Sequence, residues 1–271
     1  LGDDGVSEII VGNGMGQEPR VRVLRQDGSE VGSFLVYDAA LGVGVNVTAC
    51  DLTGDGYNEI VVAPQRGGGP HVRVFNRMGE AIDDGGFFAY DQVMRSGVNL
   101  ACGDLTGDAR AELVTLPAAG GGPHVRVWSW DGRARLVKNF FAHHTSDRAG
   151  LVGVVHDKQL TLAQQQMSSP ILKTIVIHNT IELVDERNID IDGLGVQSLA
   201  VFQNDVYLST SSTATLYNLS TNTSTTLPTA HASLASDNRT LLTAPGRLLF
   251  HERTDEQRIV VDVSQQRLYA F

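Results

Sequence analysis

The sequence predicts an all-β fold built from repeated four-stranded antiparallel sheets. Three observations predict it: a long internal repeat, short strand-like segments separated by glycine-rich turns, and no helical periodicity before residue 150. The repeat is plain because GVNVTACDLTGDGYNEIVVAPQRGGGPHVRVF, from Gly44, returns as GVNLACGDLTGDARAELVTLPAAGGGPHVRVW, from Gly97, a shift of 53 residues. Periods of roughly 20–50 residues are typical of propellers and solenoids.

Each repeat unit divides into four predicted strands. In the second unit they cover 43–50, 59–63, 71–75 and 86–90. The third strand alternates, with Val72 and Val74 on one face. An earlier copy begins mid-unit at Asp4, shifted by 51 residues. Four antiparallel strands in about fifty residues make a β-propeller blade. We therefore expect one closed propeller of six or seven blades; two β domains divided near residue 150 are the alternative.

The second half lacks the repeat but still predicts strands. They cover 151–155, 160–164, 171–178, 196–202, 205–210, 214–219 and 240–250. The spacing is nearer forty residues, which favours divergent blades over a new fold, and the Ser/Thr-rich tract 209–226 is predicted as a polar hairpin. The predicted organisation is therefore propeller repeats over 1–148, shorter divergent blades over 149–257 and a terminal hairpin over 258–271.

Composition excludes several functional classes. Hydrophobic residues make up 42% of the 271 residues and charged residues 19%, which indicates a globular chain. No apolar run approaches the roughly 18 residues that a membrane-spanning helix needs, so we expect no membrane insertion. The formal charge of −10, from 31 acidic against 21 basic residues, argues against nucleic-acid binding.

An acidic loop between the first two strands carries the chemistry. It places oxygen donors at alternating positions: Asp51, Thr53, Asp55, the backbone carbonyl of Tyr57, and Glu59. Calcium takes six to eight such hard oxygen ligands, and Gly56 permits the sharp reversal that the loop requires. The loop therefore predicts a calcium site, with an ordinary solvated turn as the alternative.

The same donors recur once in full and once in part. The second loop offers Asp104, Thr106, Asp108, the carbonyl of Arg110, and Glu112, with Ala109 in place of the glycine. That replacement predicts a weaker or differently shaped site. The first copy retains only Asp4 and Glu8.

These residues resemble a known repeat. The order of strand, DxTGDGxxE loop, strand ending in Val62-Ala63-Pro64 and glycine-rich turn is similar to the FG-GAP repeat of integrin α-subunit propellers and many bacterial surface proteins. The resemblance covers roughly residues 1–145. It implies a propeller with structural calcium between the first two strands of a blade. It also implies a non-catalytic, extracellular or cell-surface binding or scaffold module, whose partner is a protein or a cell-wall polysaccharide.

The last fourteen residues carry a second resemblance. Residues 258–271 are similar to the opening hairpin of L,D-transpeptidase catalytic domains, although the outer hairpin of a last blade explains them equally well. A propeller module of such an enzyme, with the catalytic part missing from this chain, is the first alternative function. A polysaccharide-processing propeller enzyme, which needs paired carboxylates, is the second.

The remaining candidates are predicted to be structural. Cys50 and Cys102 lie one position apart in the repeat register, so we expect their side chains on opposite faces and no disulfide between them. His71 and His124 occupy one blade position and are not expected to bind zinc. Trp128 and Trp130 are expected to cap a blade rather than to floor a sugar site.

Overall fold

The computed structural model of the chain describes residues 8–25, 27–177, 180–191, 195–202, 205–210, 213–227, 232–234, 241–243, 259–262 and 267–270. Every regular element in these ranges is a β-strand. The strands of the first half are β1 (Ile9–Gly12), β2 (Arg20–Leu24), β3 (Glu30–Leu35), β4 (Val45–Cys50), β5 (Glu59–Pro64), β6 (His71–Phe75), β7 (Phe87–Phe88), β8 (Val98–Gly103), β9 (Glu112–Pro117), β10 (His124–Trp130) and β11 (Ala134–Phe141).

The second half continues in the same way. Its strands are β12 (Leu151–His156), β13 (Gln159–Gln164), β14 (Ile171–Ile177), β15 (Ile181–Asn188), β16 (Ser198–Phe202), β17 (Asp205–Ser209), β18 (Ala214–Asn218), β19 (Thr223–Leu227), β20 (Ala232–Leu234), β21 (Leu241–Thr243), β22 (Ile259–Asp262) and β23 (Arg267–Ala270). No helix in the described ranges is long and apolar enough to cross a membrane.

The described strands pair antiparallel with their neighbours in chain order. The first sheet is β1–β3, and four-stranded sheets follow as β4–β7, β8–β11, β12–β15 and β16–β19; then come the hairpins β20–β21 and β22–β23. The chain divides into two compact units, one of residues 1–25 and 29–151, the other of residues 26–28 and 152–271. Each sheet is therefore local in sequence, and the connections include the two-residue turn between β12 and β13 and the eight-residue loop between β4 and β5.

The first unit has its sheets stacked face to face. Strand β5 is buried along its whole length, because both of its faces are covered. Ile60 and Val62 pack in one cluster with Val21 and Val23 of the first sheet. Val61, between them in sequence and on the opposite face, packs with Leu113 of the third sheet in another cluster. The period of two along a single strand therefore joins three successive sheets.

The second unit contains a core of its own. Val152 and Leu172 of the fourth sheet pack with Leu199, Leu208 and Tyr217 of the fifth. The predicted polar hairpin over 209–226 is present, since β18 pairs with β19. Strand β15 was missed because its burial pattern is almost entirely exposed, and the sequence has no apolar alternation there. Of the strand predicted over 240–250, β21 (Leu241–Thr243) is observed, and the other residues lie outside the described ranges.

One expectation is wrong: Cys50 and Cys102 form a disulfide, with their Cα atoms 6.2 Å apart. The side chains do lie on opposite faces of equivalent strands, but the two strands belong to successive stacked sheets. Asn46 and Thr48 share the Cys50 face of β4, and both contact β8: Asn46 donates to the Val98 carbonyl at 2.8 Å, and Thr48 Oγ1 lies 3.5 Å from Cys102 Sγ. In the stack, one face of each sheet contacts the opposite face of the next sheet. Cys50 and Cys102 lie on the two faces that meet, so their sulfurs come together.

Candidate metal centre

The first acidic loop, between β4 and β5, is organised by one carboxylate. Asp51 Oδ1 accepts hydrogen bonds from the backbone N–H groups of Gly54 at 2.6 Å and Asp55 at 3.1 Å. Its Oδ2 accepts a third from Gly56 at 2.8 Å. Gly54 and Gly56 have φ of +77° and +87°, which only glycine adopts without strain. The sequence therefore curls the loop around its first acidic residue.

The other acidic side chains of this loop bind backbone as well. Asp55 Oδ1 accepts from the Tyr57 N–H at 2.9 Å. The buried Glu59 accepts from the N–H groups of Leu52 at 2.9 Å and Thr53 at 3.1 Å. Burial raises the pKa of Glu59, and the neighbouring carboxylates raise it further, against the two amide hydrogen bonds. A cation beside this carboxyl would favour its ionised form.

The second loop, between β8 and β9, repeats the arrangement. Asp104 accepts from Gly107 N–H at 2.5 Å and from Ala109 N–H at 3.1 Å. Ala109 has φ of +67°, so alanine keeps the left-handed backbone that Gly56 has in the first loop. The loop is therefore not differently shaped at that point; whether it binds a cation more weakly stays a prediction. The alanine carries a strain of about 1 kcal/mol.

The acidic residues at the end of the second loop also match. Asp108 Oδ1 accepts from Arg110 N–H at 2.9 Å. Glu112 accepts from Leu105 N–H at 2.9 Å and from Thr106 Oγ1 at 3.3 Å. Burial raises the pKa of Glu112 as it does in the first loop.

The donor set of the first loop fits calcium in chemistry. All of its donors are hard oxygens, and Thr53 Oγ1 is buried without a hydrogen-bond partner. The Tyr57 ring packs against the Arg77 guanidinium, 4.3 Å from the ring centroid, and the group that Tyr57 offers to a cation is its carbonyl. Within the described ranges, no three histidine, cysteine or acidic side chains are grouped so as to hold a metal ion. Calcium in the loop would therefore require its three carboxylates to turn toward one point, with the Thr53 hydroxyl and the Tyr57 carbonyl completing the oxygen donor set.

The truncated first copy adds little. Asp4 lies outside the described residues. Glu8 is half-buried just before β1. A site there stays a prediction.

The structure also joins the two complete loops, which the sequence did not indicate. Ala111 N–H of the second loop donates to the Asp51 carbonyl of the first at 2.8 Å. The Arg110 side chain lies against Gly54, where a Cβ would be 2.8 Å from its Nε. The signal that could have suggested this was the identical placement of both loops in adjacent repeat units.

The other candidates lie in packing positions. His71 stacks on Phe88 with ring centroids 4.8 Å apart, and His124 repeats this on Phe141 at 4.7 Å. Both tryptophans are buried in the core of the first unit, and their capping of a blade stays a prediction. Trp128 Nε1 donates to Thr115 Oγ1 at 3.0 Å.

A repeated buried tyrosine was missed by the sequence reasoning. Tyr37 donates through its hydroxyl to the His71 carbonyl at 2.6 Å, and Tyr90 donates to the His124 carbonyl at 2.8 Å. Burial raises the pKa of both phenols. The signal was the tyrosine recurring at the 53-residue shift of the repeat.

Comparisons with known proteins bear on the fold alone. No protein-family model matches the sequence, and no curated protein matches it. The WD40 domain of Neurospora crassa Pan2 is 11% identical, with 99% of this chain and 89% of that chain covered and a TM-score of 0.58. The periplasmic gluconolactonase of Pseudomonas aeruginosa is 17% identical, with 84% and 68% covered and a TM-score of 0.55.

A protein of unknown function from Bacteroides caccae is a third similar structure. It is 12% identical, with 93% of this chain and 82% of that chain covered and a TM-score of 0.55. WD40 domains are β-propellers of four-stranded blades. Together with the antiparallel sheets described above, these likenesses show that the chain has a β-propeller fold.

Proposed function

We propose that the chain is a non-catalytic, calcium-stabilised β-propeller that serves as a binding or scaffold module. The observation that supports this most is the Asp51–Glu59 loop: an all-oxygen donor set, repeated 53 residues later, with the Thr53 hydroxyl buried and unpartnered. Asp51, Thr53, Asp55, Glu59 and the Tyr57 carbonyl would hold calcium in this loop. Their equivalents would hold it in the second.

The metal's role in this proposal is structural. Calcium supplies a divalent charge that offsets the mutual repulsion of the loop carboxylates. The loop residues do the rest: Asp51 holds three amides in place, and Glu59 anchors the loop start from its buried position. The loops close the ends of the β4–β5 and β8–β9 pairs, so occupied loops stabilise the first two strands of two sheets.

We further propose six or seven blades, an FG-GAP-type repeat and an extracellular or bacterial cell-surface setting. The described residues form five sheets of three or four strands and two hairpins; six or seven blades would require the hairpins to belong to one or two further blades. The disulfide supports the setting, because disulfides persist in oxidising compartments. The proposed partner is a protein or a cell-wall polysaccharide.

Thermal unfolding with calcium or chelator tests the metal. A ligand that binds only the folded state stabilises it by RT ln(1 + [L]/Kd), about 2.7 kcal/mol per site at a hundredfold excess over Kd. Extracellular modules bind calcium at roughly 10⁻⁴–10⁻³ M. We expect millimolar calcium to raise the melting temperature of the wild type, and Asp55→Ala to lose a large part of that increase.

Asp91→Ala is the matched control. Asp91 Oδ1 accepts from the N–H two residues ahead, at Val93, at 3.0 Å, as Asp55 does from Tyr57, but Asp91 lies in no acidic loop. This variant should keep the whole calcium-dependent increase. A wild type that melts at the same temperature with calcium and with chelator would leave both loops as ordinary turns.

A further inference from the structure

The two acidic loops are connected through a single peptide unit. The Arg110–Ala111 peptide carries the Arg110 carbonyl, which is the proposed seventh-position ligand of the second loop. The N–H of the same peptide donates to the Asp51 carbonyl at 2.8 Å. Asp51 is the residue that organises the first loop. One peptide plane therefore belongs to both loops.

A peptide plane is rigid, so its two ends cannot be oriented independently. Turning the Arg110 carbonyl onto a cation in the second loop fixes the direction of the Ala111 N–H. A cation on the carbonyl also polarises the peptide and strengthens the N–H as a donor. The Asp51 backbone is then held more firmly before the first loop has bound anything.

Two further contacts hold the loops in register. The Arg110 side chain lies against the Gly54 backbone, at the centre of the first loop. The Cys50–Cys102 disulfide ties the residue immediately before Asp51 to a residue two positions before Asp104. The starts of the two loops are therefore held together covalently, and the shared peptide is not free to follow one loop alone.

We infer that the two loops bind calcium cooperatively, each raising the affinity of the other through the Arg110–Ala111 peptide. This rests on the proposed calcium function. Because coupling between sites is reciprocal, the effect of the second loop on the first equals the effect of the first on the second. Ala111 and Arg110 act here as positioning residues.

Isothermal titration with calcium chloride measures the coupling. Asp108→Ala leaves only the first loop able to bind, and Asp55→Ala leaves only the second. The product of the two stepwise association constants of the wild type should exceed the product of the two single-loop constants by at least about fivefold, the lower end of typical coupling. Asp55→Asn and Asp108→Asn, which keep the oxygen acceptor for the loop amide, replace the alanine variants should those fail to fold.

Two measurements identify the route of the coupling. Ala111→Pro removes the shared N–H. In this background the product of the two stepwise constants should equal the product of the two single-loop constants, while both loops still bind calcium. In Asp55→Ala, calcium in the second loop should slow amide hydrogen exchange over residues 51–59. A merely structural role for Ala111 would leave the ratio of the two products unchanged in the proline variant.

The outcomes separate this inference from the proposed function. If the wild type takes up no calcium, the proposed function fails and the coupling with it. If each single-loop variant binds calcium but the two products are equal in the wild type, the loops are independent and only the coupling is overturned. Unchanged amide hydrogen exchange over residues 51–59 in Asp55→Ala, together with equal products in the wild type, would show that calcium in the second loop does not reach the first.

Discussion

At the residue scale, single polar side chains form hydrogen bonds with backbone groups that have no partner in a neighbouring strand. The Asp51 carboxylate satisfies three loop amides, and the Tyr37 hydroxyl satisfies a carbonyl of a strand in the next sheet. Each has an equivalent at the shift of the repeat. The repeat conserves these side chains as it conserves the strands, because a buried or strained backbone group without a partner costs about 1–3 kcal/mol.

His71 makes stability depend on pH at the residue scale. Burial lowers its pKa below the ordinary value of 6.5, and the Arg73 charge lowers it further, against a hydrogen bond to the Gly85 backbone and the charge of Asp83. The unfolded chain therefore protonates this histidine before the folded chain does. Stability is fully present above about pH 6.5 and falls on acidification through the folded pKa.

Chemical unfolding at pH 7.5 and pH 5 measures this dependence. The loss of stability between the two should be smaller in His71→Gln than in the wild type. His144→Gln, at an exposed position, should behave like the wild type. Equal losses in His71→Gln and wild type would contradict the assignment.

At the element scale, the fourth strand of the second sheet is interrupted. Asp84, Gly85 and Gly86 have φ of +46°, +96° and +89°, which a strand cannot accommodate, and β7 is reduced to Phe87–Phe88. The Asp83 carboxylate takes the place of the missing ladder. It accepts from Val74 N–H at 2.7 Å and pairs with Arg73 at 3.4 Å.

Removing this carboxylate should be costly. Asp83→Ala leaves the largely buried Arg73 charge and the Val74 N–H without their acceptor, and losing one partner of a buried pair costs about 3–5 kcal/mol. Urea unfolding measures the change. Asp84→Asn, which keeps a residue tolerant of positive φ, should change stability little. A loss no greater in Asp83→Ala than in Asp84→Asn would show that the strand break holds without the carboxylate.

The disulfide acts on two elements at once. It joins β4 to β8 across a sequence separation of 52 residues. In the chain-entropy model, closing a loop of that size stabilises the folded state by about 4 kcal/mol. The Cys50→Ala/Cys102→Ala variant should therefore unfold at lower denaturant concentration than the wild type, and reductant should shift the wild type toward the variant.

The double variant itself supplies the control for reductant. It has no disulfide to lose, so its unfolding midpoint should be the same with and without reductant. A wild type that is as stable as the double variant under oxidising conditions would mean that the bond does not constrain the unfolded chain.

At the scale of the whole molecule, the disulfide bears on catalysis. An L,D-transpeptidase needs a thiolate nucleophile, and both cysteines of this chain are bonded to each other. Incubation with stem peptides and a carbapenem should therefore yield no crosslinked product and no adduct in the intact mass. An adduct on either cysteine of the unreduced protein would overturn the binding-module proposal.

The 271 residues by themselves determined much of this fold and of the candidate site. The repeat, the strand order and the β6 boundaries followed from alternation and turn residues, which act within a few residues of chain. The composition of both acidic loops and the sharp reversal at Gly56 followed in the same way, since glycine and the acidic acceptors act locally; the left-handed backbone of Ala109 did not. The β-propeller fold was predicted correctly from these patterns.

The tertiary structure alone decided what passes between sheets. The Cys50–Cys102 bond, the Ala111 hydrogen bond to Asp51 and the Arg110 contact with Gly54 each join two repeat units. Alternation along a strand determines which face a residue lies on, but which neighbour covers that face depends on how successive sheets stack. The stacking is set by burial of apolar faces over the whole unit. It therefore brings together two cysteines that lie on opposite faces of equivalent strands.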